Sequence, residues 1–204
     1  MDKKKLEILL ERCLPYTEPM FHLEQYSTPT TIAAGILNIA HLKGDIEGKT
    51  IYDLGCGNGI LSIGCALMGA DKITGYDIDG KALEVAKKNS EKFCIDNIIW
   101  VKSSVKDIRG KCDTVIQNPP FGVRNAKADR AFITKALEVA DVIYTMHKVE
   151  TREFVSKYIN SKGGNISDVI DVDFVLSKVY KFHKKNRKKI KVNIFRIERS
   201  DNHG

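Results

Sequence analysis

Residues 50–59 read TIYDLGCGNG, a short apolar run that passes directly into three closely spaced glycines. The run from Thr50 to Leu54 predicts a buried strand, and the apolar stretch from Ile60 to Met68 predicts the helix that follows it. Glycines are needed between them because the backbone must turn sharply and let a ligand approach without a Cβ in the way. The spacing is G-x-G-x-G, and Ile60 stands where a dinucleotide-binding turn carries a third small residue. The pattern therefore suits a cofactor that has no pyrophosphate.

The chain on either side of this stretch alternates β-type runs with amphipathic helical stretches. Strands are expected at Lys72–Ile78, Ile98–Lys102, Asp113–Gln117 and Val142–Met146, helices at Gly80–Phe93, Ala131–Ala140 and Thr151–Ser161, and antiparallel strands at Ile166–Ser177 and Ile190–Ile197. A short helix is expected over residues 6–14, and Thr28 is expected to cap a second helix that has Pro29 in its first turn and runs to about Leu42. This alternation implies an α/β fold with a mostly parallel sheet, covered on both faces, and an antiparallel hairpin at one edge.

Ligands bind such sheets at the carboxyl ends of the parallel strands. Asp53, at the end of the first strand, can accept a hydrogen bond from an ammonium group or simply brace the loop. Asp77 ends the second strand about 20 residues past the glycines, where an acidic side chain can accept both hydroxyls of a ribose. Asp79 is expected to cap the helix that begins at Gly80. The same rule gathers on one rim the loops that follow Leu54, Asp77, Lys102 and Gln117.

The sequence Asn118-Pro119-Pro120-Phe121 directly follows the fourth expected strand, on that rim. Two successive prolines fix φ twice and stiffen the backbone. The Asn118 side-chain oxygen and the Pro119 carbonyl can then accept both hydrogens of a planar amino group, which favours a pyramidal nitrogen whose lone pair points at the methyl of a sulfonium. Such a transfer is accelerated chiefly by positioning and electrostatics, and Phe121 offers a ring on which a base can stack. A merely rigid turn is the alternative, and the glycine loop and Asp77 make it the minority interpretation.

Composition narrows the class of protein. The chain has 204 residues, 43% hydrophobic and 29% charged, which suits one globular domain. No apolar run approaches the roughly 18–20 residues of a membrane span. The charged N-terminus is not followed by the apolar core of a signal peptide, so a cytoplasmic protein is expected. The five cysteines and five histidines are scattered, which fits free thiols and predicts no metal site.

The positive charge is uneven. The formal net charge is +7, and much of the excess lies in KFHKKNRKKIK, from Lys181 to Lys191. A concentrated basic patch suggests a polyanionic partner such as nucleic acid. A solvated lysine-rich surface is the alternative.

Taken together, these motifs resemble the amino-methyltransferases with an Asp/Asn/Ser-Pro-Pro-aromatic motif, and more narrowly the methyltransferase-like family that makes N6-methyladenosine in small-subunit ribosomal RNA. The resemblance spans nearly the whole chain. It rests on LEQYSTP at 23–29, DLGCG at 53–57, DID at 77–79, NPPFG at 118–122 and YKFHKK at 180–185. It implies a Rossmann-like class I fold with a seven-stranded sheet, and methyl transfer from S-adenosyl-L-methionine to adenine N6. It also implies a single methyltransferase domain over 1–204, in which residues 1–45 form a helical cofactor-lid segment and 46–204 the catalytic core.

The resemblance also implies roles position by position. Gln25 and Thr28 would close over the methionine part of the cofactor, Asp77 would bind the ribose, and the adenine would lie near Ser104 and Val105. Family members usually place an Asp where Ser104 stands, and a serine hydroxyl can still accept that bond, more weakly. The implied cofactor-binding set is Gln25, Thr28, Asp53, Gly55, Gly57, Asn58, Ile60, Asp77, Ser104 and Val105, and the catalytic set is Asn118, Pro119, Pro120 and Phe121.

Two partners are implied. One is RNA, guided by the basic hairpin residues Lys181, Phe182, His183, Lys184 and Lys185, although this hairpin could instead cap the sheet edge against aggregation. The other is a small zinc-binding activator protein that pairs with the sheet edge.

Rival interpretations of the function remain. The target could be the side-chain amide of a glutamine in a protein release factor or an amino group in DNA, or the protein could be a non-catalytic RNA-binding subunit. The glutamine enzymes usually carry Asn-Pro-Pro-Tyr and a separate N-terminal helical domain.

Overall fold

The computed structural model describes residues 1–15, 28–120, 128–177 and 187–199. These residues form a seven-stranded sheet with helices on both of its faces. In chain order the elements are α1 (Lys3–Leu10), α2 (Thr30–Leu42), β1 (Thr50–Leu54), α3 (Ile60–Leu67), β2 (Lys72–Asp77), α4 (Gly80–Lys92), β3 (Ile98–Lys102), β4 (Cys112–Gln117), α5 (Ala128–Val139), β5 (Ala140–Lys148), α6 (Arg152–Ser161), β6 (Gly164–Ser177) and β7 (Arg187–Arg199). Single 3₁₀ turns lie at Val105–Asp107 and Val149–Thr151.

The strands are arranged in the order β3-β2-β1-β4-β5-β7-β6. Strands β1 to β5 are parallel, whereas β7 runs antiparallel to both β5 and β6. This confirms the predicted fold class, a mostly parallel sheet that ends in an antiparallel C-terminal hairpin. The strand order reverses between the neighbours β1 and β4, and such a switch point is where α/β sheets bind ligands.

Successive residues of the central strands pack against different layers. In β4, Ile116 belongs to the apolar cluster that includes α1, α2 and α3, while the adjacent Val115 belongs to the cluster that includes α5 and α6. Both side chains are fully buried. Because each strand is covered on both faces, it reads as a nearly continuous apolar run, which is why the strands are recognisable in the sequence.

The starts of the helices test the predicted caps. Asp79 caps α4 as predicted, since its carboxylate accepts the N–H of Lys81 at 3.0 Å. The predicted Thr28 cap is wrong: α2 begins at Thr30, and Pro29 is the capping residue, so it lies just ahead of the first turn rather than in it. The Pro29 carbonyl accepts the N–H of Ala33 at 2.9 Å, which places the cap one residue past Thr28. The expected helix over 6–14 is also displaced, because Asp2 caps it at Lys5 and it ends at Leu10.

A buried ionic cluster joins the segment before β1 to the strands β5 and β7. The Arg196 Nε donates to Asp45 Oδ2 at 2.8 Å, and the Tyr144 hydroxyl donates to the same oxygen at 2.7 Å. Asp45 precedes β1, whereas Tyr144 and Arg196 face each other across the β5–β7 pair. The cluster therefore fixes the hairpin to the segment that leads into the central strand.

Three further observations concern the residues described above. None of their helices combines the length and apolarity that crossing a membrane requires. No group of three or more His, Cys, Asp or Glu side chains among them could hold a metal ion. The cysteines are free thiols, of which Cys56, Cys65 and Cys112 are buried.

Candidate active site

The glycine loop turns because three of its residues have left-handed backbone angles. Gly55, Gly57 and Gly59 have φ of 71°, 56° and 80°. The N–H groups of Gly55 and Cys56 both donate to the Tyr76 carbonyl, at 2.8 and 2.9 Å, which fixes the loop to the end of β2. A Cβ at Gly59 would lie 2.6 Å from the Trp100 ring, so this position also requires glycine for space. The loop is therefore held by β2 on one side and by an aromatic ring of β3 on the other.

Asp77 lies at the rim and connects the end of β2 to this loop. Its Oδ2 accepts the N–H of Gly57 at 2.8 Å, and its Oδ1 accepts the N–H of Asp79 at 2.9 Å. Burial raises the pKa of the Asp77 carboxyl. A carboxylate offers about four acceptor positions, so both oxygens retain capacity for the ribose hydroxyls predicted from the sequence. The next residue, Ile78, exposes 55% of its surface on the same rim.

Asp53 lies deeper, under the loop. Its Oδ2 accepts from both the N–H and the hydroxyl of Ser62, at 3.1 and 2.7 Å. Its Oδ1 is buried and has no partner among the described residues. Burial raises the pKa of Asp53 to about 7, and the hydrogen bonds from Ser62 oppose that shift. Asp53 thus braces the start of α3 with one oxygen, while the orphaned oxygen fits a cation such as the ammonium of a methionine group.

Asn58 binds the N-terminal segment. Its Nδ2 donates to the Leu14 carbonyl at 3.0 Å, and the Leu14 N–H donates to Asn89 Oδ1 at 2.7 Å. Asn89 Nδ2 in turn donates to the Asn58 carbonyl at 2.9 Å. The Asn58 side chain thus anchors Leu14, and its predicted contact with the cofactor stays a prediction. Asn89 was missed in the sequence, where a fully buried amide within α4 carries no distinguishing pattern.

The remaining cofactor candidates lie near the same rim. Ser104 caps the 3₁₀ turn that follows β3, accepting the N–H of Lys106 at 3.4 Å, and both Ser104 and Val105 are partly exposed. The Ser103 N–H donates to the Asp77 carbonyl at 2.9 Å, so this loop contacts the residue predicted to bind the ribose. Ile60 is buried at the start of α3 and contributes to the core.

Asn118 follows β4 at the switch point, and its amide contacts the N-terminal segment that precedes α2. Its Nδ2 donates to the hydroxyl of Thr28 at 2.9 Å. Because the amide is planar, Oδ1 points away from Thr28. Thr28 is 7% exposed, and Pro119 is buried while Pro120 is partly exposed. The structure therefore brings together two residues that are 90 positions apart and that the sequence assigned to separate roles.

A buried polar chain extends from the foot of the Asn118 loop. Gln117 Nε2 donates to Thr145 Oγ1 at 3.0 Å, and Thr145 Oγ1 lies 2.9 Å from His147 Nε2. Burial lowers the pKa of His147 to about 3, so its ring is neutral at physiological pH. The sequence analysis missed this chain, although Thr145 and His147 are polar residues at alternate positions of an otherwise apolar strand. It supports the loop from below and supplies no charge.

Several predicted residues lie outside the described ranges. They are Gln25, Phe121, Lys181, Phe182, His183, Lys184 and Lys185. Their predicted roles in cofactor closure, base stacking and RNA guidance stay predictions. The described part of the site is thus the rim from Asp77 across the glycine loop to Pro120.

Comparisons with known proteins identify the family. Residues 30–143 match the model of the methyltransferase small domain. The chain is 38% identical to the Danio rerio rRNA N(6)-adenosine-methyltransferase METTL5, over 97% of this chain and 99% of that protein. The crystal structure of PH1948 from Pyrococcus horikoshii superposes with a TM-score of 0.91 at 35% identity, covering 98% of each chain. Magnesium protoporphyrin IX methyltransferase from Synechocystis, solved with bound S-adenosylmethionine, shares the fold with a TM-score of 0.67 at 18% identity over 98% of each chain.

These findings confirm the predicted enzyme class and the predicted cofactor. The match to the family model spans β1 to β4, the strands whose carboxyl ends carry the glycine loop, Asp77 and Asn118. The orphaned Asp53 oxygen and the two-sided hold on the glycine loop are compatible with that cofactor. The chain belongs to the methyltransferase small domain family and is an S-adenosylmethionine-dependent methyltransferase.

Proposed function

We propose that the protein methylates the N6 amine of an adenine in ribosomal RNA, specifically in the small subunit. The observation that carries this proposal is the position of Asn118. It stands at the β1–β4 switch point with its amide nitrogen committed to Thr28. The amide oxygen then faces away from Thr28, as it must in order to accept a hydrogen bond from the substrate's amino group. The METTL5 relative is named an rRNA N(6)-adenosine-methyltransferase, and it matches the chain almost from end to end.

In the proposed reaction the chain positions the amine and supplies acceptors. Asn118 Oδ1 and the Pro119 carbonyl accept the two amine hydrogens, which draws the nitrogen lone pair out of conjugation with the ring. The bound cofactor supplies a methyl group on a positively charged sulfur. Fixed acceptors aimed at a developing positive charge lower the barrier without any reorganisation at the moment of transfer. The methylated nitrogen is acidic and releases one proton to water, so no strong base is needed.

Cofactor contacts are proposed for the residues along the rim. Asp53 would accept from the ammonium, Asp77 would accept from the ribose hydroxyls, and Ser104 would accept from the adenine amine. Ile78 adds an exposed apolar side chain beside Asp77, suited to the face of the adenine. The positions of Gln25 and Phe121 in this scheme rest on the sequence resemblance alone.

RNA and a protein activator are the proposed partners, in a cytoplasmic setting. The net charge of +7 and the basic stretch at 181–191 favour a polyanionic substrate. A small zinc-binding activator would pair with a sheet edge, and within the described sheet β3 and β6 are the outermost strands. Co-purification of the full chain with a candidate activator, followed by zinc analysis of the complex, tests the second partner. Migration of the two proteins as separate species would contradict it.

The deciding experiment uses ribosomal RNA and a methyl-labelled cofactor. After nuclease digestion, the label should appear in N6-methyladenosine. The Asn118→Ala variant should bind S-adenosylmethionine like the wild type and lose about 100-fold or more in turnover, as enzymes do when a fixed transition-state partner is removed. Asn165→Ala is the matched control, because Asn165 is exposed at the start of β6, at the opposite edge of the sheet.

Two results would overturn the proposal. If the label entered a protein or a different nucleoside, the substrate would be wrong. If Asn118→Ala turned over like Asn165→Ala, the active site would lie elsewhere.

A further inference from the structure

We propose that Arg130, Phe154 and Tyr158, here called the ring patch, form a second contact surface for RNA, on which a nucleotide flanking the target stacks. This inference rests on the proposed function and extends it to a surface that the sequence analysis did not identify. The basic residues assigned there to RNA, Lys181 to Lys185, belong to a different segment of the sequence. The ring patch belongs to α5 and α6.

The geometry of the ring patch is a layered stack. The Phe154 and Tyr158 rings are nearly parallel, with an interplanar angle of 16° and centroids 6.3 Å apart. The guanidinium of Arg130 lies 4.7 Å from the Phe154 centroid and 5.7 Å from the Tyr158 centroid. Lys162 Nζ lies 5.8 Å from the Tyr158 ring. Cations and aromatic faces are therefore interleaved on one surface.

Phe154 is not needed to fill the core, whereas Tyr158 packs partly against the apolar cluster that includes α5 and α6. Val155 and Ile159 are the buried residues of α6 and face the sheet. Phe154, by contrast, is 42% exposed. The Tyr158 hydroxyl is 2.8 Å from Thr134 Oγ1, which ties α6 to α5 and holds the second ring in place. Tyr158 is thus held by a hydrogen bond, while much of the neighbouring Phe154 side chain stays in contact with water.

The charge of Arg130 is available to a ligand. Its guanidinium is held by rings, and no carboxylate of the described residues forms an ion pair with it. Its Nε is buried and has no acceptor within that same part of the chain. Guanidinium groups bind phosphate through two parallel hydrogen bonds and stack on aromatic or base planes. Arg152, at the start of α6, has 49% of its side chain exposed and lies 3.7 Å from Asp171, which offsets part of its charge.

The position of the patch relative to Asn118 favours RNA as its occupant. Arg130 lies in the first turn of α5, which follows the Asn118 loop, and Phe154 lies in the first turn of α6, which follows β5. Helices that follow parallel strands begin at the carboxyl edge, so both residues lie toward the rim. The glycine loop, Asp77 and Ser104 occupy the β1–β3 side. A polymer that delivers its amine to Asn118 therefore extends over the β4–β5 side, past the ring patch.

The chemistry of the patch matches a single-stranded nucleotide. Rings on which bases stack, combined with cations that meet the backbone, are how proteins hold unpaired strands without reading their sequence. Unpaired bases are also the form in which RNA presents a reactive amino group. An acidic protein segment would meet the cations but would leave the exposed ring without a partner.

The test measures binding of the RNA fragment that the wild-type enzyme methylates, by fluorescence anisotropy with the full chain. Phe154→Ala should raise Kd for this RNA about tenfold, whereas Phe154→Trp, which keeps a stacking surface, should stay close to the wild type. KM for RNA should rise in Phe154→Ala, while kcat at saturating RNA and the affinity for S-adenosylmethionine should be unchanged. Leu42→Ala is the control, because Leu42 is 75% exposed at the end of α2, at the opposite edge of the sheet.

Arg130→Gln provides a second, independent variant. Removal of one phosphate contact should lower the slope of log Kd against log salt by roughly 0.7–0.9. If Phe154→Ala and Arg130→Gln both bind the methylated RNA like Leu42→Ala, the ring patch proposal is overturned and the proposed function stands. If the wild-type enzyme labels no RNA and instead labels a protein, the proposed function itself fails, and the inference falls with it.

Discussion

At Asn118 a hydrogen bond to the N-terminal segment fixes the direction of the amide nitrogen. Its donor is Nδ2 and its acceptor is the hydroxyl of Thr28, 2.9 Å away. The motif that contains Asn118 and the acid at Asp77 could be read from the sequence, because each follows a strand and carries its chemistry in its own side chain. The contact with Thr28 could not, since a threonine ahead of a proline is equally typical of a helix cap. Only the folded chain shows that this hydroxyl accepts a hydrogen bond from Asn118.

Replacing Thr28 with valine keeps the shape of the side chain and removes the acceptor. We expect kcat of Thr28→Val to fall about tenfold, the loss of roughly one hydrogen bond of about 1–1.5 kcal/mol, while Kd for S-adenosylmethionine changes less than kcat. Thr28→Ser retains the hydroxyl and should recover most of the turnover. Label incorporation measures kcat, and calorimetric titration measures Kd for S-adenosylmethionine. Equal losses in the serine and valine variants would show that the hydroxyl is not what matters.

Among the elements, the paired strands β2 and β3 constrain the glycine loop through the Trp100 ring. Gly75 pairs with Trp100 in register, and a Cβ at Gly75 would lie 2.4 Å from the Trp100 ring. The same ring lies against Gly59 of the loop. The sequence predicted both strands closely because buried strands are continuous apolar runs. It did not predict the ring's position, because contacts between the side chains of neighbouring strands leave no local pattern.

Gly75→Ala should therefore destabilise the fold. An added methyl would have to displace the Trp100 ring, at a cost of about 1–3 kcal/mol in the free energy of unfolding. Gly35→Ala, in α2, is the matched control because nothing lies within 4 Å of its added Cβ, and alanine should stabilise that helix by about 0.5–1 kcal/mol. Urea unfolding, followed by Trp100 fluorescence, measures both. A Gly75→Ala protein as stable as the wild type would show that the Trp100 ring can move aside without lowering the free energy of unfolding.

For the molecule as a whole, the cluster of Asp45, Tyr144 and Arg196 connects regions that are far apart in sequence. Asp45 and Arg196 are separated by 151 positions and are each about 10% exposed in their side chains. The fold class and the order of the elements followed from periodicity along the chain. This cluster did not, because a buried ion pair is visible only once β7 has been placed beside β5.

Arg196→Met should cost about 3–5 kcal/mol of unfolding free energy, because it leaves Asp45 buried without its cation. Combining it with Asp45→Asn should recover part of that loss. Arg199→Met is the control: Arg199 pairs with Asp141 at 2.6 Å on the surface, where the acid's side chain is 67% exposed, and such pairs contribute about 0–1 kcal/mol. Chemical denaturation of the four proteins gives the comparison. A loss in Arg196→Met no larger than in Arg199→Met would contradict the role of the cluster.

The anchoring of Leu14 by Asn58 and Asn89 has a consequence for the order of events. Leu14 is bound to the glycine loop, the proposed cofactor site, and Thr28 is bound to Asn118, the proposed amine site. One stretch of chain thus contacts both the proposed cofactor site and the proposed amine site. Binding at either site should change the affinity of the other site by the same factor, because coupling between two binding sites is reciprocal. We expect Kd for the nucleic acid to differ with and without the methyl donor, and Kd for the methyl donor to differ by the same factor with and without the nucleic acid.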